Sequence, residues 1–451
     1  MTITFFSQPT QEILPTVVVT NKDKLPPLLL GFANCGYQSW GRKGGGESNW
    51  TRAADNGTVP EPGYSYNHYD NYLADLDIMQ AAGANSYRIS LDWADFQNAQ
   101  GQWNGKTITF YKELFAACKA RDIKPMVTLL HFTEPAWFSD LGGFEKEGNI
   151  RHFVAFAERM FEFYGDEVET WCTINEANIQ AFCGYLKGEF PPHKHSLQLM
   201  LDVLLNLLKA HVAVFTALKK MPGGDKAQIG FVHNLLKFIP RFAYEPLEVG
   251  TATFMTGLMN DLVMNFFKTG KFDYEIPLVA SKHDFVPDAV NSLDFIGLNF
   301  YANAVIGFNP ENGFGPTYFP GQKKGELHLT VDPKGFAAAI DECATLNKPV
   351  IVTEYGVADT SDKLRVELLE TCLPIIDKKR AAGVKLIGFH EWSIKSNYEW
   401  AHGYTQRFGM YHLDGTPMES ALIYEEYMKN TLHGEKAEAK RDNVLSIECK
   451  M

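Results

Sequence analysis

The chain contains no C-x-x-C pair, and its seven cysteines, at 35, 118, 172, 183, 343, 372 and 449, are scattered along 451 residues. An odd number so spread argues against a disulfide framework. It favours reduced, buried thiols and a cytoplasmic setting. No H-E-x-x-H occurs, and His68, His152, His211 and His402 lack metal-ligand spacing, so no metal is expected. The opening stretch MTITFFSQPT has neither a basic region nor a long apolar core, so no secretory signal is expected. The sequons at Asn49 and Asn56 matter only in a secreted protein and carry no weight here. The most apolar helical stretch, Leu197 to Leu218, is interrupted by Asp202, Asn206 and Lys209. It reads as an amphipathic or buried helix, and no membrane partner is expected. Positive charge is also scarce: 42 Lys and Arg face 54 Asp and Glu, for a net charge of −12. Nucleic-acid affinity comes from Lys and Arg on phosphate, so that class of partner is disfavoured. A neutral small-molecule substrate suits this balance. No Gly-rich phosphate-binding loop follows an early strand, and no cofactor is expected.

What is present points to a large α/β unit. Hydrophobic residues make up 45% and aromatics 13% of the chain. Most of the aromatics belong to a packed core, with a few available to lie on sugar rings. Short apolar runs alternate with longer helical patterns. Strands are expected at Leu28–Asn34, Asn85–Ser90, Pro125–His131, Thr170–Asn175, Gln228–His233, Leu293–Asn299, Val350–Thr353 and Lys385–His390. Helices are expected at Asn71–Ala82, Phe110–Arg121, Arg151–Tyr164, Ser196–Met221, Lys334–Leu346 and Lys363–Ala381. Strands alternating with helices imply parallel pairing through crossovers, and eight such units imply a closed (β/α)8 TIM barrel. We assign residues 1–27 to an N-terminal extension, 28–433 to the barrel and 434–451 to a mobile, charged tail. Gly41–Tyr64 and Asn303–Pro333, rich in Gly, Asn or Pro, read as surface loops.

Functional groups of such barrels gather at the C-terminal ends of the strands. Those ends carry Gln38, Arg88, His131, Asn175, Glu176, Asn299, Tyr301, Glu354 and Trp392. Glu176 and Glu354 are the carboxylates of this set, on the fourth and seventh strands. Two carboxyls facing each other across one mouth suit glycoside hydrolysis. Glutamates at strand ends also serve as salt-bridge partners or metal ligands, and spacing alone does not choose between these roles.

The wording of the motifs narrows the choice. Thr173-Ile174-Asn175-Glu176 resembles the T-x-N-E-P signature of glycoside hydrolase family 1, the β-glucosidase family, and Val352-Thr353-Glu354-Tyr355-Gly356 resembles its I/V-T-E-N-G. Gly36-Tyr37-Gln38 is similar to A-Y-Q, Tyr87 to Trp93 to Y-R-F-S-I-S-W, and Asp294 to Tyr301 to D-F-I-G-I-N-Y-Y. Trp392 to Phe408, WSIKSNYEWAHGYTQRF, is close to W-S-L-x-D-N-x-E-W-x-x-G-Y-x-x-R-F. The resemblance runs from about Leu28 to Met428. It implies a retaining β-glycosidase with Glu176 as acid/base and Glu354 as nucleophile. It further implies substrate contacts from Gln38, His131, Asn175, Tyr301, Trp392, Glu399 and Trp400, supported by Arg88 and Asn299. A Glu at 399, where 6-phosphate-using members carry Ser, implies an unphosphorylated sugar. From the residues alone, His131 also reads as a satisfied buried histidine, and Trp93 and Tyr87 read as core.

Five positions depart from the family pattern. Ala177 replaces Pro, Tyr355 replaces Asn, Phe132-Thr133 stand where many members have Trp-Asp, and Ser396 replaces Asp. A binding protein that keeps the barrel without activity is disfavoured, because both glutamates are present. A thioglucosidase is disfavoured because those enzymes carry Gln in place of the acid/base Glu. Transfer of the sugar to an acceptor other than water stays open, as do the sugar, the aglycone and the oligomeric state.

Overall fold

The computed structural model describes residues 25–309, 313–327 and 329–448. Eight parallel strands close into a barrel. They are β1 Leu29–Cys35, β2 Ser86–Ser90, β3 Lys124–Leu130, β4 Thr170–Asn175, β5 Gln228–Asn234, β6 Phe295–Phe300, β7 Val350–Tyr355 and β8 Leu386–Glu391. Each pairs with its neighbour in the chain, and β8 pairs with β1. All eight expected strands form, and β4 matches its expected bounds. Strands covered on both faces are buried throughout, as in the FIGLNF run of β6. Where β1 meets β2, a Cβ on Gly31 would lie 1.7 Å from the Ser86 carbonyl oxygen, so only glycine fits this register.

The core has three compartments. Met126, Cys172, Val232, Phe295 and Ile351 form a small apolar cluster of their own. A large cluster that includes Trp171, Phe231, Phe267 and Met160 packs strands against helices. A third cluster, with Tyr37, Trp50, Phe132, Phe190, Trp392 and Trp400, gathers residues that follow the strand ends. Leu197–Lys220 is long and apolar enough to cross a membrane, but 67% of its most apolar window is buried inside the protein. Its interrupting Asn206 donates to the Phe144 carbonyl at 2.8 Å, which satisfies the amide within the core. The six described cysteines are unpaired; Cys449 lies outside the described residues.

Several segments differ from expectation. The stretch read as the loop Gly41–Tyr64 contains the helix Asn49–Asp55. Ser48 and Thr51 form its capping box, and Trp50 is buried. Within Asn303–Pro333, strands Ala304–Asn309 and Gly313–Thr317 pair, and the first also pairs with Phe238–Pro240. Backbone pairing overrides the Gly and Pro content there. Between β5 and β6 the chain adds helices Pro246–Thr256 and Leu262–Thr269 and a hairpin of Lys271–Ile276 with Ala280–Phe285, none of which was anticipated. Finally, the segment from Gly434 continues the helix Glu419–Glu448. Its Ala, Glu, Lys and Arg are strong helix formers. Glu435 also accepts from the Leu28 backbone N–H at 3.1 Å and pairs with Arg380 at 3.2 Å, anchoring the start of that segment. Residues 1–24 of the extension and 449–451 of the tail lie outside the described residues.

Candidate active site

Alternation along each strand sends every second side chain into the barrel. Arg88 on β2 is fully buried. Its Nε donates to Thr128 Oγ1 on β3 at 3.0 Å, its Nη2 to Asn175 Oδ1 on β4 at 2.8 Å, and its Nη1 to Glu354 Oε1 on β7. Three strands thus fix one guanidinium against one carboxylate. The Tyr301 hydroxyl donates to the other oxygen of Glu354 at 2.6 Å. Burial pushes the Tyr301 hydroxyl well above its usual range, so it stays a donor.

Glu176 lives in different surroundings. It follows β4 with a left-handed backbone, φ 48°. That conformation costs of order 1–3 kcal/mol. The turn is held by its own N–H on the Val232 carbonyl at 2.9 Å. Its Oε1 accepts from Asn299 Nδ2 at 2.7 Å and Asn234 Nδ2 at 2.9 Å. Burial, then the charge of Glu354, push its carboxyl up to about 8, against the opposing pull of the two amides and Arg88. At neutral pH Glu176 therefore carries a proton.

Asn175 links the two halves. Its Oδ1 accepts from Arg88 and from Asn299 Nδ2 at 3.0 Å, and its Nδ2 lies 3.0 Å from His131 Nε2. The other nitrogen of His131 meets Ser90 Oγ at 2.7 Å. Burial and then Arg88 push His131 well below its usual range, so the ring is neutral. Asn175 donates to Nε2, which leaves Nδ1 to carry the hydrogen toward Ser90. Thr353 Oγ1 donates to Asn299 Oδ1 at 2.7 Å and fixes that amide in turn.

Beyond β1 and β8, Gln38 Nε2 donates to the Tyr398 carbonyl at 2.8 Å and faces Glu399 Oε2 at 3.3 Å. Its Oε1 is buried with no partner. Burial, then the charges of Glu354 and Glu176, push Glu399 up to about 8. The Trp392 and Trp400 rings lie 6.1 and 5.7 Å from the His131 ring. Trp400 also packs on Trp50 at 4.6 Å and Phe132 at 5.1 Å, so much of it is spent on an aromatic wall. Arg88, His131, Asn175, Glu176, Asn299, Tyr301 and Glu354 thus form one hydrogen-bonded cluster, with Trp392 and Trp400 beside His131 and the Gln38–Glu399 pair near enough to feel the charges of Glu354 and Glu176. Trp93 and Tyr87 are fully buried, as expected of core residues. Asn234 was missed. It ends β5 one residue past the expected strand, so a longer strand there exposes it to the strand-end rule.

A family model, Glycosyl hydrolase family 1, matches residues 27–431. The chain belongs to this family. It is similar to Beta-glucosidase A of Acetivibrio thermocellus, 27% identical over 442 residues covering 89% of this chain and 97% of the relative. It is also similar to a 6-phospho-beta-galactosidase of Staphylococcus aureus, 27% identical and covering 88% of this chain and 96% of that one. Among solved structures, a beta-glycosidase from Pyrococcus horikoshii superimposes with a TM-score of 0.81 at 28% identity, covering 90% and 95% of the two chains. This family 1 protein is therefore a glycosyl hydrolase on a TIM barrel that acts on a small-molecule glycoside. Of its departures from the family pattern, Tyr355 points away from the site, packing on Phe336 at 4.4 Å and bonding Cys372 Sγ. Phe132 joins the aromatic wall, 5.5 Å from Phe190.

Proposed function

We propose that this hydrolase is a retaining β-glycosidase that cleaves unphosphorylated β-glycosides by double displacement. One observation carries the reading: the two carboxyls sit in opposite environments. Glu354 has a guanidinium on one oxygen and a phenol on the other. Both partners orient the carboxylate for attack on the anomeric carbon. Glu176 has amides but no bonded cation, and it starts protonated. It gives its proton to the leaving oxygen as Glu354 attacks. Once Glu354 is esterified its charge is gone, and the carboxyl of Glu176 becomes more acidic. Glu176 then takes a proton from water, which attacks the same carbon and releases the sugar with its original configuration. The free N–H of Asn175 is available to the sugar 2-OH, a bond that strengthens in the transition state.

Charge disfavours a phosphate on the sugar. Glu399 and Gln38 offer acceptors to free hydroxyls on the sugar's far side. A 6-phosphate adds roughly −1.5 to −2 charge. It would meet the charge of Glu354 and, as pH rises, those of Glu176 and Glu399, while Arg88 is already committed to Glu354. In a poorly hydrated site the mismatch reaches several kcal/mol. Competition between an aryl β-glucoside and its 6-phosphate tests the reading. We expect strong preference for the unphosphorylated substrate. A kinetic preference for the 6-phosphate would overturn both this substrate class and the role of Glu399.

A further inference from the structure

A separate cavity opens on the catalytic face. It has a volume of about 250 Å3 and is lined from the loops that follow β1, β3 and β4. That is below the roughly 300–1,000 Å3 of drug-sized sites and suits a single small ring. None of the site residues described above lines it. Trp50, Phe132 and Phe190 pack together beside it, Trp50 to Phe190 at 4.9 Å, and Pro191 and Pro192 carry the chain from that wall into the cavity.

The chemistry of the lining is one-sided. Glu134 is only 7% exposed. Its Oε1 accepts from Ser139 Oγ at 2.7 Å, and among the described residues nothing bonds Oε2. Glu145 also lines the cavity. Arg52, at the same cavity, is held by Glu47 at 2.8 Å and Asp140 at 2.6 Å and offers Glu134 no charge. Burial, followed by the nearby Glu145, pushes the Glu134 carboxyl up to about 7, as befits a buried acid without a counter-ion. His193 adds a further acceptor. Its Nδ1 lies 3.1 Å from the Gly188 carbonyl, so in the neutral ring Nδ1 carries the hydrogen. Among the described residues its buried Nε2 has no partner. Asn49, the nearest amide, is already spent on Phe132 and Glu134. Around Glu134 and His193 the cavity therefore has acceptors and negative charge to spare, while Asn56 and Tyr185 bring donors to its wall.

We propose that this cavity binds a small protonated amine of about the size of an amino monosaccharide. The ammonium group would supply the missing counter-ion to Glu134 and donate to its free oxygen. Ring hydroxyls would donate to His193 and accept from the rim. A charge-assisted hydrogen bond to a buried carboxylate is worth about twice a neutral one, which gives the amine its advantage over a plain sugar.

Isothermal titration of the full chain with D-glucosamine, its catalytic site first saturated with a non-hydrolysed aryl β-thioglucoside, tests this, with glucose as the uncharged control. We expect glucosamine to bind at one site and glucose at least tenfold more weakly. Glu134→Gln should weaken glucosamine binding at least tenfold while aryl β-glucoside hydrolysis is unchanged, which also shows that the variant folds. Asn56→Trp, on the exposed rim of the cavity, should block binding without removing a buried charge. No glucosamine binding, equal affinity for glucose, or unchanged binding in Asn56→Trp would each overturn the proposal.

Discussion

Tyr301 donates its hydroxyl hydrogen to Oε2 of Glu354 at 2.6 Å, on the side of the carboxylate opposite Arg88. The phenol both orients the nucleophile and holds its charge. A hydrogen bond to a charged group contributes about 1.5–3 kcal/mol. Tyr301→Phe should therefore lower kcat/KM for an aryl β-glucoside by roughly 10- to 150-fold with the fold intact. Glu354→Ala should lower it by several orders of magnitude. A fluorinated glycoside should trap and label Glu354. Label on another carboxylate would refute the assignment.

The acid/base role predicts an asymmetry between leaving groups. Glu176→Ala should slow poor leaving groups far more than good ones, because only the former need the proton. Azide should rescue the second step in that variant and give a β-glycosyl azide. A retaining mechanism places the two carboxyls about 5–5.5 Å apart and yields a β-configured first product, visible by proton NMR. An α-azide, or an α first product from the parent enzyme, would remove the double displacement.

The parts of this molecule legible in its sequence are those fixed along one strand. Thr173 to Glu176 and Val352 to Gly356 each lie on a single strand end, so pattern reading found both glutamates. The contacts that make them different run across strands. Arg88 reaches Thr128, Asn175 and Glu354 from β2, and Asn234 reaches Glu176 from β5. Such contacts depend on barrel register, which spacing along the chain does not encode. The insertion between β5 and β6 was missed for another reason. Its strand Lys271–Ile276 is only six residues long, with Lys271, Asp273 and Glu275 exposed, Phe272 buried and Tyr274 and Ile276 half-buried, and no motif marks it. Trp50 was hidden because its helix is only seven residues long and sits amid Gly and Asn.

Glu391 predicts a gain in stability on substitution. It ends β8, fully buried, and among the described residues neither of its oxygens has a partner. Burial pushes its carboxyl well above the usual range despite nearby Arg365. An unbonded buried polar group costs about 1–3 kcal/mol. Glu391→Met, similar in length and apolar, should raise unfolding stability by about 1–2 kcal/mol at neutral pH. The sign of the pH dependence follows. Glu391 is neutral in both states below about pH 4.3, and above that the unfolded chain ionises while the native chain does not. The parent therefore loses stability as pH rises toward the folded value, and the Met variant lacks that loss. Its advantage should be larger at pH 7 than at pH 4 in denaturant titrations. A Met variant less stable than the parent at pH 7 would show that Glu391 has a partner in solution.

The pH profile tests which acid does the chemistry. Glu176 is held up to about 8, and Glu399 in the same site is also held up to about 8. If Glu176 is the proton donor, kcat/KM for a substrate with a poor leaving group should fall as pH rises through about 8. Asn234 and Asn299 both donate to Glu176 Oε1, which favours its ionised form. Removing one donor raises the carboxyl further. Asn234→Leu should therefore move the alkaline limb to higher pH, not lower. Asn234 has no bond to Glu399, so a limb owned by Glu399 would stay in place. Glu399→Gln supplies the complement. It should weaken the sugar's binding and raise KM, yet leave an alkaline limb in place, because Glu176 is raised by its burial and by Glu354. A limb that vanishes in Glu399→Gln and does not move in Asn234→Leu would transfer the titration from Glu176 to Glu399 and overturn the acid assignment.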